Sequence, residues 1–74
     1  ETTRDINVYP NPASMILNVQ APVGAVTSLY NTFGQLVVVG TTDKTIDLSQ
    51  LSNGVYEVVI EYNGIIINKK IIKS

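Results

Sequence analysis

Cysteine, histidine and tryptophan are all absent from this chain of 74 residues. Without cysteine or histidine there is no disulfide, thiolate zinc site or imidazole ligation, so backbone pairing and packing must hold the fold. The same absences remove the Ser-His and Cys-His pairs of nucleophilic catalysis and the commonest general base near neutral pH. An enzyme is not expected, nor is a cofactor. Charge is scarce as well: five basic and six acidic residues leave a net −1, and the largest basic cluster is Lys69-Lys70 with Lys73. Such a distribution gives no electrostatic footprint for nucleic acid or anionic lipid. Runs such as Val37-Val38-Val39 and Ile65-Ile66-Ile67 fall far short of the ~20 apolar residues of a membrane helix, and no segment resembles a signal peptide. The chain begins at Glu1 and reads as a piece of a larger protein, whose export signal, if any, lies upstream.

What is present is strand chemistry. Val, Ile and Thr supply 26 residues, in runs broken by Gly, Pro, Asn and Asp. Residues 5–9, 14–20, 26–31, 35–40, 44–48, 54–62 and 65–73 read as seven short strands at the spacing of a sandwich or barrel. A single domain of this mass buries about 60% of its extended surface.

The strongest local signal is Asn63-Gly64 between two β-rich runs, because a two-residue type I′ turn needs positive φ at both central positions. The turn predicts a hairpin in which Tyr62 faces Ile65 and Glu57 faces Lys70, a charge pair of about 0.2–1 kcal/mol. One face then carries Tyr56, Val58, Ile60 and Tyr62 with Ile65, Ile67 and Ile71, and is the expected core face. The same register puts Lys69 on that face beside Val58. Either its stem snorkels at the sheet edge or a bulge near Asn68 shifts the last residues; the bulge is the expectation.

Leu48 and Leu51 are spaced for a single helical turn that tucks both under the sheet, after which Gly54 takes a tight turn. Tyr9-Pro10-Asn11-Pro12 contains two residues without an N–H, so it ends a strand, and Asn11 is suited to close an Asx turn between them. Asn31-Thr32-Phe33-Gly34 reads as a hairpin loop with Gly34 in the left-handed region and Phe33 as a plug over the core end. Glu57 and Glu61 lie ~13 Å apart along a strand, too far for a glycosidase pair, and read as a solvated face. Asp43 and Asp47 fail on the same spacing unless a loop folds them together, and a calcium site from Asp43, Asp47 and Asn53 is the lesser alternative. No metal is expected.

Four features occur in one order: Tyr9-Pro10-Asn11-Pro12 with Leu17 and Val19; Leu29-Tyr30-Asn31 with Gly34-Gln35; Asp47-Leu48-Ser49 with Leu51 and Gly54-Val55-Tyr56; and Lys69-Lys70-Ile71-Ile72-Lys73. Together they resemble the C-terminal sorting domain of type IX secretion cargo, from about Ile6 to Lys73. The resemblance implies an all-β, seven-stranded immunoglobulin-like antiparallel β-sandwich at the end of proteins exported by bacteria of the Bacteroidota type. It implies a domain at 5–74, preceded at 1–4 by a linker remnant from an upstream cargo. It also implies transit through the periplasm, recognition by the outer-membrane translocon, cutting by a sortase-like cysteine protease, and cargo anchored at the cell surface or secreted.

Each residue singled out has a plain structural reading beside its functional one. Tyr9, Pro10, Asn11 and Pro12 are a turn that blunts an edge strand, or a motif read by the export machinery. Gly34 and Gly54 are backbone geometry before they are contacts. Tyr56 packs in the core with its hydroxyl at the rim. Lys70 and Lys73 are the foremost candidate contacts, against the alternative of lysines that protect an edge; the sorting role implied by the resemblance extends over Lys69, Lys70 and Lys73. Two rival functions remain: an immunoglobulin-like adhesive or carbohydrate-binding module, which would stack sugars on Tyr9 or Tyr30, and a structural cap on the preceding domain. The isoleucine-rich hairpin also makes a homodimer through edge strands an expectation in vitro.

Overall fold

The computed structural model describes residues 6–74. The linker at 1–4 and the first residue of the predicted strand 5–9 lie outside the described residues. Seven strands follow: β1 (Asn7–Tyr9), β2 (Ile16–Gln20), β3 (Val26–Tyr30), β4 (Leu36–Thr41), β5 (Thr45–Asp47), β6 (Gly54–Tyr62) and β7 (Ile65–Lys73). They form two antiparallel sheets, ordered β1-β2-β5 and β4-β3-β6-β7. The described residues contain no helix.

Period-two alternation explains why two layers form. In β2, Leu17 and Val19 point inward between less buried neighbours; in β6, Tyr56, Val58 and Ile60 do the same. Side chains from both sheets meet in one core, with Leu17, Leu29, Leu48, Val58, Ile60 and Ile71 fully enclosed. Seven strands in two sheets around a shared core are consistent with a β-sandwich.

The β6–β7 hairpin follows the predicted register from Gly54↔Lys73 to Tyr62↔Ile65, with Glu57 opposite Lys70. Asn63 and Gly64 turn it with φ of 53° and 78°. Two expectations fail here. The bulge near Asn68 is absent, since Val59↔Asn68 and Val58↔Lys69 continue the ladder unbroken. Lys69 therefore stays on the inward face, half-buried beside the enclosed Val58. This is sustainable because β7 is the last strand of its sheet, where a long stem covers apolar surface while its ammonium reaches water. Ile65, expected in the core, is 42% exposed. The opposing sheet has strands of only 3 and 5 residues, too short to cover the tip of a hairpin with 9-residue arms.

The β3–β4 loop forms as predicted in its backbone but not in its aromatic residue. Gly34 has φ 81°, its N–H donates to the Asn31 carbonyl at 3.0 Å, and the Asn31 N–H donates to the Gln35 carbonyl at 3.0 Å. Asn31 Oδ1 accepts from the N–H groups of Phe33 (2.9 Å) and Gln35 (3.0 Å), tying the loop to its own base. Phe33 is consequently thrown outward, 86% exposed, and plugs nothing.

At the β5–β6 corner the predicted single turn is present: the Leu51 N–H donates to the Leu48 carbonyl at 3.0 Å, Leu48 is enclosed and Leu51 half-buried. The carboxylate of Asp47 starts this turn by accepting the Ser49 N–H at 2.9 Å. Hydrogen bonds from the Ser49 side chain and backbone hold the Asp47 carboxyl below its usual range.

Candidate recognition surface

After Tyr9 the chain leaves β1 through Pro10 and Pro12, neither of which has an N–H to give to a ladder. The peptide bonds before both prolines are cis. The Asx turn expected of Asn11 is not what its side chain makes. Its Nδ2 donates to the Lys70 carbonyl at 3.2 Å, and its Oδ1 accepts the Ile72 N–H at 3.0 Å. A side-chain amide has the same donor and acceptor as a peptide unit, so Asn11 serves β7 as a surrogate strand residue.

Ala13 carries the pairing on with its own backbone. Its N–H donates to the Ile72 carbonyl at 2.8 Å, and its carbonyl accepts the Ser74 N–H at 2.8 Å. The result is a one-residue parallel bridge, Ala13↔Lys73, in which Ala13 is completely buried. The outer side of the last five residues is thus closed by a segment some sixty positions earlier in sequence.

Several predicted residues gather around this seam. Gly54, with φ 152°, pairs with Lys73 from the other side, and Lys73 Nζ donates to Asn53 Oδ1 at 3.3 Å. Asn53, considered for calcium on sequence, thereby holds an ammonium group. Tyr56 lies opposite Ile71, 6% exposed, and its hydroxyl donates to the Ser52 carbonyl at 2.6 Å. That bond pins the entry of β6 to the corner four residues upstream, as tyrosine corners do in sandwiches. Gly34 joins the same end through an open groove lined by Asn31, Thr32, Gly34, Val55, Glu57 and Lys70.

Two predicted residues point elsewhere. Lys69 faces inward. Tyr9, half-exposed, lines a separate shallow groove with Asn18, Gln20, Lys44 and Thr45, while its carbonyl accepts from Asn18 Nδ2 at 3.2 Å. The residue missed on sequence is Ala13. Its signal was a small side chain directly after Pro12, which marks close approach but not what approaches.

The family of secretion system C-terminal sorting domains matches residues 7–74. The chain belongs to that family. No curated protein matches it. The family makes this sorting domain a type IX C-terminal sorting signal, which acts with the secretion system on an upstream cargo and leads to export to the cell surface or secretion. Members are not known as catalysts. All seven strands of the sorting domain fall inside the matched range, and so does the seam. Its two sides are the two segments that stand at either end of the match, Tyr9 to Ala13 and Lys70 to Ser74.

Proposed function

We propose that the seam is the surface by which this sorting domain is read. Pro10, Asn11 and Pro12 with Lys70 and Lys73 form the contact face offered to the outer-membrane translocon. Gly34, Gly54 and Tyr56 hold its backbone in shape, and Tyr9 and Lys69 flank it. The observation that carries this reading is the double hydrogen bond of Asn11 to Lys70 and Ile72, which merges two sequence-distant motifs into one rigid patch. The fold behind it is immunoglobulin-like, a reading supported by the strand order β1-β2-β5 over β4-β3-β6-β7 and by the Tyr56 corner.

In this reading the domain spans 5–74, with 1–4 the remnant of a linker to cargo. Cargo crosses the inner membrane, transits the periplasm and reaches the translocon through the folded domain. A sortase-like cysteine protease then cuts N-terminal to it, and the cargo is anchored at the surface. Fusion of residues 1–74 to a periplasmic reporter, in a host with the type IX system, is expected to send the reporter to the cell surface. The Lys70→Ala/Lys73→Ala pair is expected to reduce that export while circular dichroism stays unchanged. A reporter of the unmodified domain that remains periplasmic overturns the proposal.

One observation favours the adhesive-module alternative: Tyr9 is 49% exposed in its groove. Glycan binding by the isolated domain, lost on Tyr9→Ala, would reverse the ranking.

A further inference from the structure

The seam closes only part of the outer side of β7. In an antiparallel pair, alternate residues turn both backbone groups toward the partner and the intervening ones turn theirs away. Ile72 is of the outward kind, since its N–H meets Asn11 and its carbonyl meets Ala13. The outward set along β7 is therefore Ile66, Asn68, Lys70 and Ile72. Asn11 and Ala13 engage Ile72 and the Lys70 carbonyl. Among the described residues, nothing outside the β6 ladder bonds the N–H or carbonyl of Ile66 or Asn68, or the N–H of Lys70. Such an edge is a template for another strand.

Side chains grade along this open stretch. Ile66 is 62% exposed and Ile67 half-buried at one end; Lys69 and the exposed Lys70 stand at the other. Lys70 already faces Glu57 across the β6 ladder, so an acidic residue on its free flank completes an alternating row. We infer that residues 66–70 accept an extended peptide as an added antiparallel strand, carrying an acidic pair opposite Lys69 and Lys70 and an apolar pair opposite Ile66 and Ile67.

Charge selects this occupant over a second copy. Two β7 edges paired antiparallel about Asn68 set the lysines of each against the isoleucines of the other and gain no charge pair. The inference goes beyond the sorting-signal reading, and its test does not depend on export.

The probe is the peptide acetyl-Glu-Glu-Thr-Val-Val-amide, titrated into the 15N-labelled domain and followed by amide shifts. The expected result is movement of the Ile66, Asn68 and Lys70 amides, with those of β4 unmoved. Replacing the Glu pair by Lys is expected to weaken binding by about tenfold or more. Asn68→Pro removes an outward N–H without touching the ladder to β6, and is expected to abolish binding while amide dispersion persists. Equal binding of the Lys peptide, or shifts mapping to β4, overturns the inference, and shift mapping on the unmodified domain tests it even where the Pro variant loses its fold. Dimers that form without peptide and dissolve on Asn68→Pro overturn it in favour of self-pairing.

Discussion

The two sides of β7 are secured by different physics. Its inner side is zipped to β6 through a turn of two residues, so each rung lies close in sequence and the loop to be closed is minimal. Its outer side, over the last five residues, is held by Asn11 and Ala13, whose bonds span 59 and 61 positions for the Asn11 side chain. The first arrangement is nearly independent of the rest of the molecule. The second exists only after both sheets have stacked, and it brings the two motif segments of the sorting domain together. The contact face proposed across this seam is complete only in a folded domain.

That contrast is open to being broken, beginning with the core both sides share. Ile60→Ala, at a fully enclosed position of β6, is expected to cost about 2–5 kcal/mol, read as a lower urea midpoint at unchanged slope. Every amide of hairpin and seam should then exchange faster together, because the core is common to them. Protection that falls in the hairpin alone would show that the two regions do not fold as one unit.

The local side is weakened next by Gly64→Ala. At φ 78° an L side chain meets its own carbonyl, for about 1–2 kcal/mol. The exposed turn has room for the methyl, so the loss is conformational and is read in thermal unfolding.

The long-range side is isolated by Asn11→Ala, which removes one donor and one acceptor from an exposed position where water replaces both. About 1 kcal/mol is expected, with the larger response at one reporter: the Ile72 amide should lose exchange protection while the hairpin amides keep theirs. Export of a fused reporter should fall although the domain remains folded. Retained Ile72 protection would remove the seam from the account.

The smallest effect concerns the corner between the sheets. The Asp47 carboxyl is held below its ordinary value by Ser49, so its contribution is present above that value and is lost as pH falls through the lowered one. Asp47→Asn is expected to cost a little stability near neutral pH, where the bonded carboxylate contributes, and nothing once acid has protonated it, so that the acid limb flattens. Because the group is exposed, the change is small beside the other three.

The hairpin was legible residue by residue because its determinants are neighbours: Asn63-Gly64 fixes φ, φ fixes the turn, and the turn fixes every rung. The boundaries of β6 and β7 matched for this reason. Lys69 was misread because an inward lysine is unfavourable in the middle of a sheet, and the strand sequence does not say that β7 stands at an edge. Phe33 was misread because an aromatic residue in a loop looks like a plug, until Asn31 is seen to turn the loop outward. Ile65 was misread because alternation names a face but not how far the opposite layer extends.

By itself the sequence determined an all-β chain without metal-binding or nucleophilic machinery of the cysteine or histidine kind, the turns that punctuate its strands, and its membership of the sorting-domain family. Those properties rest on composition, on backbone preference, and on spacing between near neighbours. Only the tertiary structure decided that Asn11 abandons its local turn for the edge of β7, that Ala13 is buried there, and that the first and last motifs form one surface. The reason is that an unpaired strand edge takes whatever donor and acceptor the packing of two sheets brings beside it, and that proximity is a property of the assembled layers rather than of any stretch of chain.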